Sequence, residues 1–408
     1  MQSCFISFLI VLLDVITEKG FHKIFPQFGT RHRRAIRKAL IIQAAASVAI
    51  IIGGSIFQQY IGDYRIIAVY YYIFGLIVTI YLPKAIFVSF LFAGRSISWI
   101  RERRGKRSEK PRDILAKCGF WTGLAAIAIV IWGIFFGRFN FTIHHEKICD
   151  SNLPPSFNGY KIVQFTDVHA GSFFGSAERF REAVDKINDQ APDLIVFTGD
   201  MVNNFADEAV PIIPFFSQLK ARDGKYAVLG NHDYGGYTQW KNPADSVANH
   251  EALKNAITQM GFELLQNRSV VISRSDSARI ALIGTENWGV KKRYPKRANL
   301  TKAMQSVNDI PFRVLLSHDP SYWPQEVKGK TDIALTLSGH THGMQTGVKL
   351  GKRHYSFAFF RFPYWGGLYQ TGRQYLYVNC GLGVIAFPGR IGMSPEITVI
   401  TLWNEEQN

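Results

Sequence analysis

Three apolar runs dominate the first 140 residues: "ALIIQAAASVAIIIGGSIF" at 39–57, "IIAVYYYIFGLIVTIYL" at 66–82 and "CGFWTGLAAIAIVIWGIFFG" at 118–137. Each is about long enough to cross a ~30 Å hydrocarbon core as a helix. Buried helices of a water-soluble core keep a polar face, and these runs have almost none. Residues 1–140 are therefore expected to form a transmembrane region of about four hydrophobic helices. The remaining run, Cys4–Leu13, is short for a span and stops at Asp14, so it reads as a tilted helix or an interfacial anchor. No basic stretch precedes it and no Ala-x-Ala site follows, which argues against a cleaved signal peptide.

The charge is unevenly placed. Asp14 to Lys38 holds seven Lys or Arg against two acids, and Arg95 to Lys117 holds nine against three, so these segments carry most of the formal +16. Basic loops beside membrane spans are topology signals that stay in the cytoplasm, so no nucleic-acid partner is expected. The linker at 58–65, with one Arg and one Asp, belongs on the opposite face. Residues 39–57 then run outward, 66–82 inward and 118–137 outward. Everything from Arg138 onward is expected outside the cytoplasm, on a multi-pass protein of the cell inner membrane with the lipid bilayer as partner. The stretch "PKAIFVSFLFAG" after Leu82 leaves room for a re-entrant continuation. Asp14 and Lys84 are the ionisable groups near the spans, and both fall at segment ends, which speaks against a transport path. Cys149 and Cys380, in the exported part, are expected as unpaired thiols.

After a linker and first strand at 141–157, residues 158–408 alternate short apolar strands with helical stretches such as "SAERFREAVDKINDQ" and "DEAVPIIPFFSQLKA", the pattern of an α/β domain. Polar ligand types recur where the strands end. "YKIVQFTDVH" ends in Asp167 and His169, "DLIVFTGD" in Asp200, "KYAVLGNHD" in Asn231, His232 and Asp233, "FRVLLSHDP" holds His318, and "IALTLSGHTHG" supplies His340 and His342. On an extended backbone, side chains two apart point the same way, so His340 and His342 are expected to aim at one small volume. Open α/β sheets gather ligands at the carboxyl ends of their strands, so the five blocks converge on one pocket.

Carboxylate, imidazole and one amide oxygen suit hard or borderline divalent ions such as manganese, iron or zinc. Seven candidate ligands exceed the needs of one ion and match two that share a bridging carboxylate. Such a pair clamps the attacking and leaving oxygens of phosphoryl transfer and supplies hydroxide near neutrality. The expected chemistry is hydrolysis of a phosphoester by a metal-bridged hydroxide.

The ordered blocks "DVH", "GD", "GNHD", "SH" and "GHTHG" resemble the calcineurin-like metallophosphoesterases over about residues 158–402. The resemblance implies two mixed β-sheets in a sandwich flanked by helices, here preceded by the helical transmembrane region. It also implies roles: Asp167, His169 and His342 on one ion, Asp200 bridging, Asn231, His318 and His340 on the other, and His232 as the catalytic residue facing the substrate phosphate. The tail "YLYVNCGLGVIAFPGRIGMSPEITVITL" is similar to the membrane-anchored phosphodiesterase branch related to UDP-2,3-diacylglucosamine hydrolases. Met344 departs from that pattern, where Gly is expected.

The first reading is thus a membrane-anchored dinuclear phosphodiesterase or pyrophosphatase, acting on a phosphoester that can be amphiphilic. A UDP-2,3-diacylglucosamine-type pyrophosphatase facing the cytoplasm is the alternative. A membrane sensor or transporter with a binding-only domain is another, although such a domain tends to lose a ligand and this one keeps all eight positions. The stretch "FAFFRFPYWGGLYQ" at 357–370 reads as a packed core hairpin or, if exposed, as a surface for headgroups or an amphiphile.

Overall fold

The computed structural model describes residues 2–57, 62–105, 110–275, 278–289, 296–350 and 353–405. Residues 58–61 of the short linker and 106–109 of the second basic segment lie outside the described residues. The chain divides into two compact units, residues 1–61 with 69–135, and residues 62–68 with 136–408.

The first unit is helical: α1 (Gln2–Ile24), α2 (Thr30–Phe57), α3 (Tyr64–Arg103) and α4 (Lys110–Phe135). Among the described residues three helices, α2 to α4, are long and apolar enough to cross a membrane. The apolar run expected at 66–82 does not end there. α3 continues through Pro83 for 40 residues, about 60 Å at 1.5 Å per residue and twice the hydrocarbon thickness. Glycines explain how its second half is held. A β-carbon at Gly119 would sit 2.5 Å from Phe90 Cβ, one at Gly123 would sit 3.1 Å from the Pro83 carbonyl oxygen, and one at Gly94 would sit 3.1 Å from Arg112 Cα. These contacts run in opposite chain directions, so α3 and α4 pack antiparallel at backbone distance along a small-residue seam.

α1 likewise extends well past Leu13, and Asp14 lies inside it rather than at an end. Lys84 sits midway along α3, and its Nζ is 2.5 Å from Asp14 Oδ1. The Tyr81 hydroxyl donates to Asp14 Oδ2 at 3.0 Å. The carboxylate is buried, so its charge is tolerable only because an ammonium and a phenol are aimed at it.

The second unit is a sandwich. Its first sheet runs β1 (Thr142–Cys149), β14 (Glu396–Trp403), β2 (Tyr160–Phe165), β3 (Leu194–Phe197), β4 (Lys225–Ala227) and β5 (Glu263–Leu264). The second runs β12 (Gly367–Thr371), β13 (Gln374–Val378), β9 (Leu335–Ser338), β8 (Arg313–Leu316), β7 (Arg279–Gly284) and β6 (Arg268–Ser273). Both are mixed: β2 to β5 are parallel while β14 is antiparallel to β2, and β7 to β9 are parallel while β6 is antiparallel to β7. The central strands β2, β3, β8 and β9 are buried at nearly every position because both faces are covered, whereas the edge strands β6 and β12 keep exposed residues. Ile162, Leu194 and Val196 of the first sheet meet Leu282, Val314, Leu316 and Leu337 of the second between the layers. Their neighbours Val163, Ile195 and Phe197 face outward onto α5 (Phe180–Asn188) and α7 (Pro243–Gln259). On the far side, Ile283, Leu315 and Leu376 pack with Ala303 of α8 (Leu300–Met304).

The helix expected over "DEAVPIIPFFSQLKA" is mostly absent. Pro211 and Pro214 lack the amides a helix needs, leaving two 3-10 turns, Ala206–Glu208 and Val210–Ile212, and a four-residue α6 (Ile213–Phe216). No disulfide joins the four cysteines, all of which lie among the described residues.

The buried pair in the helical unit gives a stability prediction. Lys84→Ala strands the Asp14 carboxylate and should destabilise that unit by about 3–5 kcal/mol, whereas Asp14→Leu combined with Lys84→Met should restore most of the loss. Thermal unfolding of the two variants in detergent checks this; a single variant as stable as wild type would refute it.

Candidate metal centre

β2, β3 and β4 point the same way in one sheet, β8 and β9 in the other, and the ligand loops follow directly from their carboxyl ends. The sheets are stitched together there. Gln164 Nε2 donates to the Ser338 carbonyl at 2.9 Å, and the His340 amide donates to Asp167 Oδ2 at 2.9 Å. Close backbone approach leaves no room for side chains at the loop glycines: a β-carbon on Gly230 would lie 2.2 Å from Asp200 Oδ1.

Two groups of ligand atoms form, Asp167 with His169 and His342, and Asp200 with His318 and His340, each spanning no more than 4.8 Å. Asp200 also reaches the first group, since its Oδ2 is 3.1 Å from His318 Nε2 and 3.7 Å from His169 Nε2. Asn231 Oδ1 lies 3.2 Å from His318 Nε2. The structure therefore brings all seven candidate ligands together. His340 and His342 do not share one volume, however; each belongs to a different group. The reason is the backbone. Asp167, His169, Asp200, His340 and His342 have φ between 45° and 76°, so these loops are left-handed turns and not extended strand. Met344 follows at φ 49°, which is why Gly suits its position better.

Hydrogen bonds fix which nitrogens face inward. His318 Nδ1 is 2.8 Å from the Thr198 carbonyl, so it carries a proton and Nε2 faces inward, a lone pair in the neutral ring. His169 Nδ1 is 3.1 Å from Asn203 Oδ1, with the same consequence, and its Nε2 faces His342 Nε2 at 3.0 Å. Two imidazole nitrogens in contact beside a carboxylate suit a shared cation, and the donor set fits divalent ions.

The electrostatics agree. Burial opposes ionisation of Asp167, but the His342 imidazole beside it holds the carboxyl well below the usual range. Asp200 is lowered likewise, burial being overcome by His318 and His232. Burial disfavours a charged His318, yet the adjacent Asp200 raises it to about 10. A proton there neutralises charge that a metal ion would otherwise balance.

His232 lies at the same edge without joining either group. Its amide donates to Asp200 Oδ1 at 2.8 Å, its Nδ1 donates to the Asn203 carbonyl at 2.8 Å, and its ring stacks on Tyr237 at 4.0 Å. Burial lowers its pKa. Tyr237 also accepts from Asn231 Nδ2 at 2.7 Å, which turns the amide oxygen toward His318.

Several residues hold the site without a ligand role. Asp233 accepts from the amides of Asp200, Met201 and Gly230 at 2.8, 2.8 and 2.9 Å, and burial with the Asp200 charge pushes its carboxyl up to about 7. Glu208 accepts from the amides of Asn203, Asn204 and Phe205 at 2.7 to 2.9 Å. Asp233 was visible as the last letter of "GNHD"; Asn203, Glu208 and Tyr237 carried no local signal. If Asp233 sets the Asp200 loop, Asp233→Ala should weaken metal binding about 10- to 100-fold with every ligand intact. Calorimetric titration with manganese or zinc measures this, and unchanged affinity would refute it.

Comparison with known proteins follows the same division of the chain. A family described as calcineurin-like phosphoesterase matches residues 160–344, and one described as probable calcineurin-like phosphoesterase, transmembrane domain, matches residues 1–138. Relatives include an uncharacterized metallophosphoesterase, YkuE, of Bacillus subtilis, 33% identical over 63% of this chain and 84% of its own. A transmembrane protein with metallophosphoesterase domain from Danio rerio is 29% identical over 72% of this chain and 66% of its own. A solved dimetal phosphatase from Danio rerio is 10% identical, with TM-score 0.33, over 55% of this chain and 88% of that one. The chain belongs to the calcineurin-like metallophosphoesterases, with a phosphoesterase transmembrane domain ahead of its candidate metal-binding unit.

Proposed function

We propose that the protein is a dinuclear metal-dependent hydrolase of phosphodiesters or pyrophosphates, anchored in a bilayer with its second unit outside the cytoplasm. The observation that carries the proposal is the position of Asp200 Oδ2, one carboxylate oxygen within 3.1 and 3.7 Å of imidazoles from two separate groups. Asp167, His169 and His342 would hold one cation, Asn231, His318 and His340 the other, and Asp200 both. Two cations so held supply a Lewis acid and activate water near neutral pH. The chain's own contribution is to fix the lone pairs of His169 and His318 inward, to keep the carboxylates ionised, and to place His232 beside the reacting edge.

Asp200→Ala should bind fewer than two ions per chain and lose activity on a nitrophenyl phosphodiester. Metal analysis with that assay checks it; two tightly held ions with normal turnover would overturn the proposal.

His232 is proposed to face the substrate. An anionic phosphate opposite its Nε2 would favour protonation there, letting it donate to the leaving oxygen, a role worth about 10²- to 10⁴-fold. A nitrophenolate needs no proton. His232→Asn should therefore reduce turnover of an alkyl phosphodiester at least about tenfold more than that of a nitrophenyl one, while both ions stay bound. Equal losses would leave only charge stabilisation.

The outward orientation rests on the two basic segments. An impermeant thiol reagent applied to intact spheroplasts should label a cysteine placed at Asn408 and miss one placed at Ser108. The reverse result would support a catalytic unit facing the cytoplasm.

A further inference from the structure

Beside the metal clusters lies an apolar groove of about 750 Å³, lined by Val348 and Tyr355, by Phe357, Phe359 and Phe360, and by Trp365. Val348 and Tyr355 come from the hairpin of β10 (Gly347–Leu350) and β11 (Arg353–Ser356); the phenylalanines form the turn that follows. Phe357, Phe359 and Phe360 are 66%, 70% and 83% exposed, so the stretch is not the core hairpin that its sequence allowed. The turn that presents them is pinned. The Ser356 hydroxyl donates to the Thr346 carbonyl at 2.9 Å and accepts from the Ala358 amide at 3.0 Å, and Ala358 is fully buried. A clustered apolar patch of this kind on a fixed turn marks a binding surface.

The groove is joined to the metal centre through its wall. Thr341, between His340 and His342, donates its hydroxyl to the Trp365 carbonyl at 2.5 Å. The Phe362 ring, two residues from Phe360, stands edge-on to His340 with centroids 6.0 Å apart. Charge selects the occupant. Arg361, exposed at the end of the turn, is cationic, and residues 348–362 contain no acid. An apolar peptide or a second copy of this basic stretch gains nothing from that charge, whereas an anionic lipid presents a phosphate beside its hydrocarbon chain.

We propose that the groove holds the hydrocarbon chain of the substrate, and that the substrate class is an anionic lipid phosphoester with its phosphate on the His340–His342 side. This assignment rests on the phosphoesterase reading above. The test uses the full chain in bilayer nanodiscs with a dodecyl phosphate bearing a diazirine at the far end of its chain. Crosslinks should map to residues 346–365 and fall at least tenfold in Phe359→Ser combined with Phe360→Ser. Octyl phosphate should inhibit bis(4-nitrophenyl) phosphate hydrolysis at least tenfold more tightly than butyl phosphate, as added buried methylenes require, and the double variant should lose most of that ratio. Crosslinks confined to the helices of residues 2–135, equal inhibition by both chain lengths, or an undiminished ratio in the variant would each overturn the proposal. So would loss of labelling with rising protein concentration alongside a doubled mass, which would assign the patch to a second copy. Labelling at 346–365 without any diester hydrolysis would instead refute the phosphoesterase reading and leave the groove assignment standing.

Discussion

Asp167 and Asp200 are carboxylates with almost no access to water, set among four imidazoles. Two buried negative charges in one small volume repel each other and forfeit their hydration, an arrangement that persists only if positive charge enters. Without ions the nearest remedy is a proton on His318, whose affinity rises to about 10 for that reason. Divalent cations do the same more completely by displacing that proton from His318 Nε2, which the Nδ1 bond to the Thr198 carbonyl turns inward, as the bond to Asn203 turns His169 Nε2.

The same demand shapes the backbone around the site. Five ligands sit in the left-handed region, which costs an L-residue roughly 1–2 kcal/mol each. Asp233 and Glu208 offset that strain by collecting the amides of the turns into their carboxylates. The sandwich supplies the remainder: two sheets whose parallel strands end at one edge, with a dry core between them that forbids the loops from drifting apart. A ligand loop here is held from three directions, by its strand, by the opposite sheet and by a buried carboxylate.

The helical unit meets an analogous problem in hydrocarbon. Asp14 is neutralised by Lys84 from a distant part of the sequence, and the long α3 is stabilised by a glycine seam against α4. Neither device depends on catalysis. Both allow polar and irregular features inside an apolar layer where an unpaired charge would be expelled.

The sequence by itself determined the α/β character of the second part and the apolar helices ahead of it, and it singled out the seven candidate ligands and His232 that the fold gathers at one edge. Those features are local: hydropathy over about twenty residues, and polar residues placed just after apolar strands, are readable within a short window. Tertiary structure alone decided the rest. That His340 and His342, which the family resemblance assigns to different ions, stand apart despite being two residues apart has its physical cause in left-handed turns at the contact with the other sheet. The length of α3 follows from backbone approach between helices, and the roles of Asn203, Glu208 and Tyr237 follow from hydrogen bonds across folded loops. The exposure of Phe357, Phe359 and Phe360 was equally undecidable in advance, because an aromatic-rich stretch packs inward or stands in solvent according to what lies opposite it. Which neighbours a residue meets depends on long-range packing, and no window of sequence contains both partners.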